Sequence, residues 1–111
     1  MTDDPAATLN ALMRDADARL ARLDADEHSL LVDRADATAD DEHDPEGSTL
    51  SGEWTRVDAL RRGVRGERAE IRAALARVAD GPSGVCAVCG RPIAEGRLEV
   101  RPTAATCVAC A

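Results

Sequence analysis

Along the first third of the chain, Leu9, Met13, Ala16, Leu20 and Leu23 recur at alternating spacings of four and three, and the series continues through Leu30 or Leu31. That rhythm lays one apolar seam along a helix, as in coiled coils. Asp4 can accept backbone N–H bonds as N-cap and Pro5 suits the first helical turn, so a helix is expected over residues 5–38. A second stripe, Trp54, Val57, Leu60, Val64, Ile71, Leu75 and Val78, predicts another helix over 50–79. Gly63 and Gly66 interrupt it, at about 1 kcal/mol each relative to Ala, and mark a bend or a close helix approach. Breakers cluster at 44–52 and 81–84. At about 1.5 Å per residue the helices span roughly 50 and 45 Å. Similar lengths joined by a short polar loop imply an antiparallel hairpin. The expected fold class is mainly α: a long antiparallel helical hairpin (coiled coil) over 1–80 with an acidic tip near 40–48, then a small C-terminal four-cysteine module over 81–111.

If the turn centres near Asp44 and Pro45, facing residues have numbers summing to about 88–90. Val57 then opposes Leu31, Leu75 opposes Met13, and Arg61, Arg65 and Arg72 lie near Glu27, Asp24 and Asp17. The charge distribution agrees. Residues 1–55 hold 15 Asp/Glu and 4 Arg, whereas residues 56–111 hold 6 and 10. Exposed pairs of this kind are worth about 0–1 kcal/mol each, so they set register more than stability. The stripe Arg61, Arg65, Arg68 and Arg72 has a second reading as a dock for an acidic partner surface.

Composition narrows the function classes. Aromatic residues are 1% of the chain, with no Phe or Tyr, which disfavours an aromatic core and any base-stacking platform. A net charge of −7 is too acidic for a generic phosphate-backbone binder. No apolar run approaches the roughly 20 residues of a membrane span, and the acidic start lacks a signal-peptide pattern. A cytoplasmic protein is expected, and in a reducing compartment four Cys point to metal before disulfides.

All four Cys lie in the last part of the chain, as Cys86-Ala-Val-Cys89 and Cys107-Val-Ala-Cys110 with 17 residues between the pairs. Two residues between thiolates let one tight turn present both sulfurs, and two such turns complete a tetrahedral four-sulfur site suited to Zn²⁺. Gly90 supplies the positive φ that follows a first knuckle. Leu98 and Val100 alternate with charged residues as a short strand would, and Arg91, Arg97 and Arg101 offset the negative charge of the centre. Four thiolates leave no open coordination position, so one structural zinc is the leading reading. Redox C-x-x-C chemistry and a nucleic-acid-reading ribbon are the alternatives. The first lacks a surrounding βαβ pattern, and the second lacks aromatics and Lys.

Several of these residues resemble the DksA/TraR family of transcription regulators. The features are Cys89-Gly90, Ile93, Arg97-Leu98, Arg101-Pro102-Thr103 and the four Cys, preceded by an acidic-tipped hairpin. The first helix matches by architecture rather than by motif. The resemblance implies a protein that binds RNA polymerase directly, without a promoter DNA site. Its coiled coil enters the secondary channel, acidic tip residues approach the catalytic centre, and the zinc finger forms the base. The family's tip motif D-x-x-D-x-A falls here on His43-Asp44-Pro45-Glu46-Gly47-Ser48, which keeps only Glu46 as an acidic match. Longer members also continue into a helix beyond the last Cys. Dependence on the alarmone ppGpp is therefore not carried over to this chain.

The tip has two readings. Asp41, Asp44 and Glu46 are either a solvated loop or carboxylates at the end of a rod that reach a metal-containing site. Trp54 either packs on the first helix near Ala35 or is an exposed anchor for a partner. His28 reads as a packing or surface residue and His43 as solvent-exposed beside the tip. A two-helix rod offers no catalytic pocket, so a non-enzyme is expected. The alternative function is a zinc-stabilised coiled-coil adaptor that does not act on polymerase.

Overall fold

A computed structural model describes the backbone of residues 4–40, 46–81 and 83–111 and the side chains of 4–36, 51–81 and 83–111. Helix α1 runs over Pro5–Asp40, α2 over Glu46–Asp80 and α3 over Glu95–Val100, followed by a single 3-10 turn at Val108–Cys110. There is no strand among the described residues, only an isolated antiparallel bridge between Val85 and Pro92. The fold is mainly α, a pair of long helices packed against each other ahead of a C-terminal cysteine cluster.

The start of α1 follows from its cap. Asp4 Oδ1 accepts the Ala6 N–H at 3.1 Å, and the Asp4 carbonyl accepts the Thr8 N–H at 3.1 Å. Two of the donors of the first turns are thereby satisfied. At the other end of the hairpin the sequence reading misplaced a boundary. Helix α2 begins at Glu46 rather than near residue 50, so Gly47 also lies inside it. Each glycine costs about 1 kcal/mol in a helix, which long-range propagation of a 35-residue helix outweighs.

The chain forms two compact units, Met1–Asp15 with Glu67–Ala111, and Ala16–Gly66. Early α1 shares a unit with late α2, and late α1 shares one with early α2, which is the order of an antiparallel hairpin. In the first unit Leu9, Ile71 and Ala74 are buried from the helices, and Cys86, Ile93 and Ala104 from the C-terminal segment. In the second, Ala16, Val57 and Val64 are buried.

The seam is narrower than the apolar stripe suggests. Val57, Val64 and Ile71 repeat every seven residues and are buried, while Leu60 is 45% exposed. Leu31 is exposed and Leu30 half-buried, so Leu30 continues the α1 series. Arg61 follows Val57 by four and is half-buried. Its guanidinium bonds Asp24 at 2.7 Å and Glu27, with Asp58 3.9 Å away. The Asp24 hydrogen bond leads in raising the Arg61 pKa above its ordinary value. Glu27 with Arg61 satisfies the expected register, and Asp24 joins the same arginine rather than Arg65. Arg62 instead pairs within its own helix, with Asp58 at 2.7 Å.

Gly63 and Gly66 do not serve a close helix approach: a Cβ at either position would meet nothing within 4 Å. The expected strand at Leu98–Val100 is the short helix α3. Two apolar residues cannot separate a period of 2 from one of 3.6, and the helix turns Leu98 toward Gly84 while leaving Val100 82% exposed.

Candidate metal centre

Cys86 enters the site from a tight turn. Its N–H donates to the Arg91 carbonyl at 2.8 Å, and the Gly90 N–H donates to the Cys86 carbonyl at 3.0 Å. Gly90 closes this knuckle at φ 73°, the left-handed value expected of it. Inside the turn the amides of Val88 and Cys89 point at Cys86 Sγ, at 3.4 and 3.5 Å. The second pair is set by the 3-10 turn, where the Cys110 N–H donates to the Cys107 carbonyl at 3.1 Å. A backbone bond from Ala87 N–H to the Ala105 carbonyl, 2.8 Å, ties the first knuckle to the segment leading into the second.

These turns converge the four sulfurs. All four Sγ atoms lie within 4.8 Å of one another, and Cys89 Sγ is 3.7 Å from Cys107 Sγ. A tetrahedron with Zn–S bonds of about 2.3 Å has edges of about 3.8 Å, so the spacing fits one zinc ion. All four cysteines are free thiols.

The electrostatics give the same answer. The amides of Cys89 and Cys107, then that of Val88, lower the Cys86 pKa to about 6. Hydrogen bonding with Cys107, followed by burial, pushes Cys110 up to about 12. Four adjacent thiols do not all ionise by themselves, and a divalent cation is the chemistry that makes all four thiolates compatible. With four sulfurs filling the shell, the centre is built to cross-link the chain rather than to bind substrate.

Two arginines support the loop between α3 and Cys107. Arg77 Nη2 donates to the Thr103 carbonyl at 3.1 Å, and Arg97 Nε donates to the Thr106 carbonyl at 2.8 Å. Sequence reasoning missed Arg77 altogether and assigned Arg97 only a charge-balancing part. Neither bond has a local sequence signal, since each joins residues from separate elements.

Of the remaining candidates, Asp41 and Asp44 lie outside the described residues, as does His43, and Glu46 is described only as the first residue of α2. Trp54 is 36% exposed. Arg65 and Arg72 are exposed, Arg68 is half-buried, and Arg61 is engaged by α1. His28 is exposed. Among the described residues no helix is long and apolar enough to cross a membrane.

Comparison with known proteins agrees with this geometry. Residues 81–111 match the prokaryotic dksA/traR C4-type zinc finger. The fold is similar to that of transcription factor DksA2 from Pseudomonas aeruginosa, with a TM-score of 0.81 at 22% identity, covering 96% of this chain and 76% of that one. No curated protein sequence matches the chain. The C-terminal segment thus matches the dksA/traR C4-type zinc finger, with four cysteines placed to hold one zinc ion, on a chain whose fold is similar to that of DksA2.

Proposed function

We propose that this protein is a DksA-like transcription regulator that binds RNA polymerase through its secondary channel. Residues 1–80 form the coiled coil that enters the channel, and residues 81–111 form its zinc-held base. The observation that carries this reading is the combination of a C4-type zinc finger of the dksA/traR kind with a hairpin fold similar to that of a transcription factor. Zinc, when bound, supplies a rigid cross-link between the two Cys knuckles and no reaction chemistry. Asp41, Asp44 and Glu46 are the effector carboxylates in this reading. Exposed Trp54, Arg65 and Arg72, and half-buried Arg68, are partner contacts along the coil. Arg61 is spent on holding the helices together. The protein acts in the cytoplasm as a binding module rather than an enzyme, without sequence-specific DNA contact.

The test is reconstituted transcription with purified polymerase. The wild-type protein changes initiation or open-complex lifetime. Changing Asp41, Asp44 and Glu46 together to Ala removes that effect while leaving polymerase binding largely intact. A triple variant as active as wild type contradicts the assignment of the tip.

A second reading, a zinc-stabilised adaptor for another partner, draws on the exposed apolar residues Leu31, Val32 and Leu60 of the coil. It predicts concentration-dependent mass in light scattering and no change in transcription.

A further inference from the structure

We infer that Arg97 is a positioning residue for the zinc centre, holding the peptide that delivers Cys107 to the metal. The carbonyl it binds, Thr106 O at 2.8 Å, belongs to the peptide unit whose nitrogen is that of Cys107. Because a peptide unit is planar and trans, fixing its oxygen fixes the direction of the opposite N–H. That N–H belongs to Cys107, so the Arg97 side chain orients the backbone that leads into this ligand.

The placement of Arg97 is itself secured. It lies on α3, whose first turn is closed by the Arg97 and Leu98 N–H groups on the Ala94 carbonyl at 3.1 and 3.2 Å. Its backbone carbonyl accepts the Arg101 N–H at 2.7 Å, and Leu98 beside it packs toward Gly84. The loop it grips is held from two other directions. Arg77 from α2 takes the Thr103 carbonyl and Ala87 from the first knuckle takes the Ala105 carbonyl. Arg97 holds the carbonyl next to the ligand, so its loss acts on the metal more strongly than the loss of Arg77. A guanidinium fits this task because its Nε–H has a fixed direction. Partners that orient metal ligands in this way commonly change metal affinity by about 10- to 100-fold when removed.

The experiment uses the full chain loaded with zinc and measures zinc transfer to a chromophoric chelator, with cobalt substitution as the spectroscopic readout. Arg97→Ala is expected to lose zinc at least about tenfold more readily than wild type. Arg97→Lys should fall between the two. Arg91→Ala removes a positive charge from the same segment without a carbonyl bond and should behave as wild type within about twofold. At saturating cobalt Arg97→Ala should recover a tetrahedral tetrathiolate spectrum. Unchanged zinc retention in Arg97→Ala overturns the inference. So does an equal loss in Arg91→Ala, which would make net charge the cause, or failure of Arg97→Ala to give the cobalt spectrum at any metal concentration, which would make Arg97 a folding residue only.

Discussion

Replacing Ile71 by Ala tests whether the hairpin is held by a narrow seam. Ile71 is 5% exposed, in heptad step with Val57 and Val64. The change removes three buried carbons, worth about 0.8 kcal/mol each on transfer, so the loss is roughly 2–3 kcal/mol. The upper part of the usual Ile→Ala range is not expected, because the seam lies between two helices that can close on a small void. Leu60 is the internal comparison. It is apolar and on the same helix but 45% exposed, so Leu60→Ala should cost about half as much. Urea unfolding followed by circular dichroism at the helical band gives both values from the midpoint and slope. A loss below about 1 kcal/mol for Ile71→Ala, or a larger loss for Leu60→Ala, would refute the seam as the source of stability.

Further outcomes follow from the same structure. Gly63→Ala, at a helical position with open space around it, should stabilise the chain by about 0.5–1 kcal/mol in urea unfolding. Gly90→Ala should cost about 1–2 kcal/mol and weaken zinc retention, because a Cβ is strained at φ 73°. Arg61→Leu leaves Asp24 and Glu27 without their shared cation and should lower the melting temperature, and adding Glu27→Leu should recover much of that loss. Acidification should release zinc, since each ligand must be a thiolate. In the metal-free chain Cys86 has a folded-state pKa below its ordinary value, so its contribution to folding is present above that ordinary value and is lost as the pH falls through about 6. Zinc release followed against pH in a chelator assay checks the direction.

How much of this could be read from the residues depends on the range of each interaction. The hairpin was legible because a seam repeats over many turns: Leu9, Ala16, Val57, Val64 and Ile71 are buried as their spacing requires. The metal site was legible because C-x-x-C is a local geometry, and Gly90 adopts the backbone its position after Cys89 implies. The start of α2 was not legible, because Gly47 reads as a breaker wherever local propensity alone is consulted. Leu98 and Val100 gave too short a pattern to distinguish α3 from a strand. Arg61 looked like one member of a surface stripe, yet it stands at a seam position and gathers Asp24 and Glu27, which lie far from it along the chain. The support of the metal loop by Arg77 and Arg97 was invisible for the same reason, since it depends on where α2 and α3 meet residues 103–106.

The most direct test of the regulator reading is binding of the zinc-loaded protein to purified core RNA polymerase, measured by equilibrium titration of a labelled chain. The reading predicts saturable, one-to-one binding at micromolar concentration or below, lost when the secondary channel is already occupied by a competitor. No detectable binding at micromolar concentration, with zinc bound and the helices intact, would contradict it.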